Sequence, residues 1–159
     1  MMNKLINDLF QTVPVKGNFV HFYHIGIEDA EFILKLRTED RKDNFLMKTD
    51  NNLELQQEYI NRYLEKFKKQ EEIYFKIFDV KKAQFSGVVR LTDIQSSKNF
   101  GWESVILDKS SSPNLFIDLM LIIYKIGFDM LGRETCGPWK VKKEFKKMMK
   151  IHEIIGMTE

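Results

Sequence analysis

Apolar positions along the chain follow two rhythms, one of about 3.6 residues and one of two, and the switches between them outline the elements. Val20–Ile25 is a short β-branched and aromatic run, read as a strand. Asp29 opens a helical pattern carried by Ala30, Ile33, Leu34 and Arg37. Residues 43–52 read as an irregular loop. From Leu53, the residues Leu55, Tyr59, Ile60, Tyr63, Leu64 and Phe67 fall on one stripe, predicting an amphipathic helix of about 16 residues. The period then drops to two. Ile73, Phe75 and Ile77 share one face and Tyr74, Lys76 and Phe78 the other. A polar turn over 79–84 leads to a strand over Phe85–Ile94, and a second turn over 95–99 to a strand over Phe100–Leu107. Ser112-Pro113 marks a helix start, with serine at the cap and proline where its missing N–H costs nothing. That helix is expected to run to about Leu131, stopped by Gly132. Thr135–Val141 reads as a short strand and Lys143–Ile155 as a last helix, closed by Gly156.

The order is strand, helix, helix, three antiparallel strands, helix, strand, helix. A meander followed by a crossover helix and another strand predicts an α/β (α+β) fold: a mixed, mostly antiparallel sheet with helices on both faces.

Composition narrows the class without naming a chemistry. The 159 residues suit one domain, and 43% hydrophobic content is ample for its core. Twenty-five basic against 23 acidic residues argue against a nucleic-acid binder or a disordered acidic chain. Lys140, Lys142, Lys143, Lys146, Lys147 and Lys150 cluster locally, but a short cluster is more simply a solvated helix face. A single cysteine, Cys136, excludes an intramolecular disulfide, and three histidines beside it do not suggest a structural zinc site. Cys136 reads as a buried strand thiol rather than a nucleophile. The N-terminus, broken by Asn and Asp, is no signal peptide, and the apolar segment 115–131 carries Asp118, Lys125 and Asp129. The expectation is a cytoplasmic protein that neither crosses a membrane nor binds nucleic acid.

Several segments resemble the GNAT superfamily of N-acetyltransferases. Phe85-Ser86-Gly87-Val88-Val89-Arg90-Leu91 is similar to that family's third strand, and Phe100-Gly101-Trp102-Glu103-Ser104-Val105-Ile106-Leu107 to its fourth. Val141, Phe145, Met148, His152 and Gly156-Met157 follow the spacing of its closing strand-to-helix segment. The resemblance spans roughly residues 18–157, and the wording is nearest to acetyltransferases of small molecules and of surface-sugar biosynthesis.

The resemblance implies acetyl-CoA as cofactor and a small-molecule amine as acceptor, a nucleotide-linked amino sugar among the candidates. In such folds the fourth and fifth strands splay, and the fourth receives the pantetheine arm as a sheet edge receives a strand. Val105, Ile106 and Leu107 would do so here. The pyrophosphate sits at the following helix N-terminus, which favours anions. Here that loop is Lys109, Ser110, Ser111, Ser112, Asn114 and Leu115, without the family's glycines. Glu103, on the opposite strand face from Trp102, is the candidate base, or else a solvated strand glutamate. His152 stands where the family often has tyrosine and is the candidate acid, or else a packing histidine. Phe145 replaces a cofactor-contacting asparagine. Arg37, Arg41 and Asn44 could line the acceptor side, or be solvated charges. The family usually continues into a further hairpin. Its absence here implies an uncovered sheet edge and, as an expectation, a homo-oligomer formed through it. The alternative to an enzyme is a degenerate, non-catalytic GNAT-like module with a binding or assembly role.

Overall fold

A computed structural model describes residues 2–11, 13–39, 50–137 and 146–154. Its elements run α1 (Met2–Gln11), β1 (Val15–Lys16), β2 (Val20–His24), α2 (Ala30–Thr38), α3 (Leu53–Lys68), β3 (Ile73–Asp79), β4 (Gln84–Thr92), β5 (Asn99–Leu107), α4 (Pro113–Tyr124), β6 (Thr135–Cys136) and α5 (Lys146–Ile154). The six strands form one sheet in the order β1-β2-β3-β4-β5-β6. Every neighbouring pair is antiparallel except β5 and β6, which run parallel. The mixed α/β sheet read from the periodicity is present.

Each sheet face buries its own core. On one, Phe22, Phe75, Val89, Leu91, Phe100 and Trp102 pack with Ile6 and Leu9 of α1 and with Leu115, Leu119 and Ile123 of α4. On the other, Tyr74, Val88 and Ile106 pack with Ile33 and Leu36 of α2 and with Ile60 and Tyr63 of α3. Alternation along each strand sends neighbouring residues to opposite cores, so each face requires its own helices.

The helix starts follow capping chemistry. The Asn52 side chain accepts from the Leu55 amide at 3.1 Å, and Ser112 accepts from Leu115 at 3.3 Å with Pro113 following it. Asp118 ties two elements together. Buried on α4, its Oδ2 accepts from the amides of Phe19 at 2.7 Å and Val20 at 3.0 Å, fixing the start of β2.

Three expectations need revision. The N-terminal segment, to which no element was assigned, forms α1. Its apolar pairs Leu5-Ile6 and Leu9-Phe10 stand four residues apart, one helical turn, and Ile6 and Leu9 are buried. β1, equally unexpected, is two residues long and too short to show alternation. The helix expected to reach Leu131 is α-helical only to Tyr124, and Lys125–Met130 widens into a π-helical turn. Leu131 N–H bonds Ile126 five residues back at 2.9 Å. Gly127 lies in that turn, where an added Cβ would fall 2.1 Å from a Phe100 ring carbon. Gly132, at φ +65°, ends the segment as its position suggested. The expected strand over 135–141 is seen at Thr135–Cys136, and its remainder lies outside the described residues apart from Gly137, whose amide bonds the Phe100 carbonyl at 2.9 Å.

Gly127→Ala should therefore destabilise the protein by about 2 kcal/mol, because Phe100 is fully buried and its ring has no open side. Urea unfolding at 25 °C would measure this. A change under about 0.5 kcal/mol would mean that the helix shifts away without strain.

Candidate functional site

β5 is a strand with one residue too many. Val88 pairs with Ile106 and Arg90 with Glu103, so Val89 alone faces Ser104 and Val105. Ser104 absorbs the excess at φ +54°, a left-handed conformation unusual for a residue with a Cβ. The bulge inverts the strand's parity. Before it, Phe100 and Trp102 enter the α1/α4 core; after it, Val105 and Leu107 lean on that core and Ile106 turns to α2/α3. Glu103 and Ile106, three apart, thus share the α2/α3 face. No signal in the sequence marks the bulge, because serine rather than glycine occupies the left-handed position.

On its other side β5 meets β6. Among the described residues, the two pair in parallel at Asn99↔Thr135 and Phe100↔Cys136. Burial pushes the Cys136 thiol up to about 12, relieved in part by a hydrogen bond with Trp102, so it is an unreactive packing group at neutral pH.

β5 leads into the α4 loop. Ser110 N–H donates to Asp108 Oδ1 at 2.7 Å, and its hydroxyl also bonds that carboxylate. Lys82 crosses from the β3–β4 turn, its Nζ donating to Ser110 Oγ at 2.6 Å and to the Ser110 carbonyl at 2.9 Å. Lys109 Nζ lies 3.7 Å from Glu39 at the end of α2. Ser111 Oγ is buried without a hydrogen-bond partner. The amide of Leu115 is engaged by the Ser112 cap, and its side chain is in the core. Asn114 is exposed in the first turn of α4.

Over the α2/α3 face lies a polar row across three strands. Tyr74 pairs with Arg90, and Arg90 with Glu103. Arg90 donates to the Tyr59 hydroxyl of α3 at 2.6 Å and to Glu103 Oε1, with Glu72 at 3.6 Å. Burial works against the charge on Arg90, yet Tyr59, Glu103 and Glu72 outweigh it and hold its pKa above the ordinary value. The Tyr63 hydroxyl accepts from the Tyr74 amide at 2.9 Å, and Arg37 hydrogen-bonds the Tyr74 side chain. Burial raises the Tyr74 phenol above its usual range, so it stays neutral.

The structure thus brings two sequence candidates, Arg37 and Glu103, onto one network, and adds Tyr59, Glu72, Tyr63 and Tyr74. Tyr59 and Tyr63 had been read only as core stripe; each hydroxyl reaches a polar partner, a use that periodicity does not reveal. Arg41, Asn44 and Phe145 lie outside the described residues. His152 is on α5, and its side chain is outside them too. Of the clustered lysines, Lys146 and Lys150 are exposed on α5. Among the described residues there is no metal-binding group of side chains and no helix long and apolar enough to cross a membrane.

This six-stranded sheet, with paired helices on each face, matches the fold of solved GNAT acetyltransferases. Among solved structures, FdhC, a nucleotide-linked sugar GNAT, matches with a TM-score of 0.79 and 29% identity, over 93% of this chain and 83% of its own. A GNAT-family acetyltransferase from Bacillus anthracis matches with a TM-score of 0.68 and 12% identity, over 92% of this chain and 84% of its own. The dodecameric spermidine N-acetyltransferase from Vibrio cholerae matches with a TM-score of 0.66 and 16% identity, over 88% and 80%. No family model matches the sequence, and no curated protein matches it significantly. The chain has the GNAT fold and resembles GNAT acetyltransferases along nearly its whole length.

Proposed function

We propose that this protein is an acetyl-CoA-dependent N-acetyltransferase acting on the primary amine of a small molecule, with a nucleotide-linked amino sugar as the acceptor class. The observation that carries the reading is the fold match to solved GNAT acetyltransferases, together with β5, bulged at Ser104 and leading directly into the loop that caps α4. The acceptor class draws on the likeness to FdhC.

The residues present fit the cofactor. Val105, Ile106 and Leu107 offer backbone groups for the amides of a pantetheine arm. Ser111 Oγ, buried and unpartnered, is a donor awaiting an acceptor, and Lys82 and Lys109 supply positive charge where glycine amides are lacking. Ser110, Ser112 and Asn114 complete the pyrophosphate side, while Leu115 anchors the start of α4 in the core beneath it. Acetyl-CoA supplies the activated acetyl group as a thioester. The protein's own tasks are to orient the amine, accept its proton and return a proton to the departing sulfur. Glu103 is assigned the first proton task. His152 on α5 is assigned the second, from its place in the sequence.

The test is thermal unfolding with and without acetyl-CoA, followed by thiol release with a panel of amines. Cofactor at about 100 times its dissociation constant should add about 2.7 kcal/mol of stability. Nucleotide-linked amino sugars should then release thiol faster than spermidine, a contrasting polyamine. No shift at millimolar acetyl-CoA would overturn the enzyme and leave the non-catalytic module. A shift with turnover on spermidine alone would keep the enzyme and replace the acceptor class.

A further inference from the structure

Arg90 is gripped from behind and points at one residue. Its side chain is 17% exposed, against 52% for Glu103. One terminal nitrogen donates to the Tyr59 hydroxyl at 2.6 Å and lies 3.6 Å from Glu72 Oε2. Glu72 is itself anchored, its Oε1 accepting from Lys66 Nζ at 2.7 Å. The other terminal nitrogen donates to Glu103 Oε1. The guanidinium is thus the fixed end of the pair and the half-exposed carboxylate the end that needs fixing. Stability does not explain the arrangement, since an ion pair with an exposed partner contributes little. Place does explain it. Glu103 directly precedes the bulge at Ser104, and a strand glutamate with several rotatable bonds would otherwise sweep a wide arc there.

We propose that Arg90, braced by Tyr59 and Glu72, is a positioning residue that takes Glu103 by one carboxylate oxygen so that the other is presented to the acceptor amine. The inference rests on the acetyltransferase reading and names the acceptor-side device of that site. The charge balance suits an ammonium ion: Glu72 and Glu103 flank one guanidinium, and Glu103 is the more exposed of the two carboxylates. Anchoring by a half-buried guanidinium also leaves the mobile partner with one productive geometry, which is where orientation contributes to rate.

The experiment compares steady-state kinetics of wild type, Arg90→Lys, Arg90→Gln, Glu103→Gln and the Arg90→Gln/Glu103→Gln double variant, each also tested for its thermal shift with acetyl-CoA. Arg90→Gln should lower kcat roughly tenfold while the acetyl-CoA shift and its KM stay as in wild type. Arg90→Lys, which keeps a cation but not the fork, should recover part of the loss. In the Glu103→Gln background the Arg90→Gln change should cost nothing further, because its effect runs through Glu103. An equal loss in both backgrounds, or an unchanged kcat in the single variant, would overturn the inference while leaving the enzyme standing. If Arg90→Gln does not fold, the same comparison is read from Arg90→Lys, with and without Glu103→Gln. Wild type with neither turnover nor shift would overturn the acetyltransferase reading, and the inference with it.

Discussion

Glu103→Gln is expected to reduce acetyl transfer by about 10²-fold or more, with the acetyl-CoA thermal shift preserved. The substitution keeps the shape of the side chain and an oxygen for Arg90, so the cross-strand contact survives. It removes the ability to accept a proton. The amine reaches the site as an ammonium ion and is no nucleophile until that proton leaves, so the loss belongs in kcat rather than in cofactor affinity. The parity inversion makes the assignment specific. Without the extra residue at 104, Glu103, Val105 and Leu107 would lie on one face; with it, the carboxylate is on the α2/α3 side while Val105 and Leu107 lean on the other core. Unchanged turnover in Glu103→Gln would move the base to another group and leave the fold untouched.

Asp118→Ala should be the costliest stability change, at about 3 kcal/mol, or roughly a hundredfold in the folding equilibrium. One buried carboxylate oxygen holds two amides, those of Phe19 and Val20, and alanine would strand both. Neighbouring backbone cannot move in to replace it. Gly17 already lies so close that an added Cβ would stand 2.6 Å from Asp118 Oδ2 and 2.5 Å from Ile122. Asp118→Asn, with its carbonyl oxygen in the same place, should lose only about 1 kcal/mol. Urea unfolding of the pair would check both figures. A loss under about 1 kcal/mol for the alanine variant would show that water reaches the two amides.

The contrast between these residues shows what sequence can carry. The α3 stripe, the β3 alternation and the Ser-Pro start of α4 were legible because each is a local rule repeated over many residues. Glu103 was legible as a candidate because the family resemblance points to a carboxylate near the fourth strand and alternation set its face against Trp102. Its partner was not. Arg90 belonged to the resembling third-strand segment, but its grip on Glu103 depends on a cross-strand register that no local rule specifies. Asp118 looked like a polar interruption in an apolar helix, although its charge is spent on β2, about a hundred residues earlier in the chain. The bulge and the π turn were hidden for the same reason. Both come from three-dimensional fit, at Val89 and at Phe100, and neither carries a distinctive residue except Gly127. The α1 pattern was present but short, a pair of apolar doublets that acquire meaning only when a sheet face lies beneath them.

The bulge also acts as a ruler. A straight strand edge offers amides and carbonyls at even spacing and can be copied by any passing strand of another molecule. Here the extra residue at Ser104 interrupts that spacing, leaving two short runs on either side of it. A visitor that needs three or four rungs in step across Ser104 finds no continuous template there.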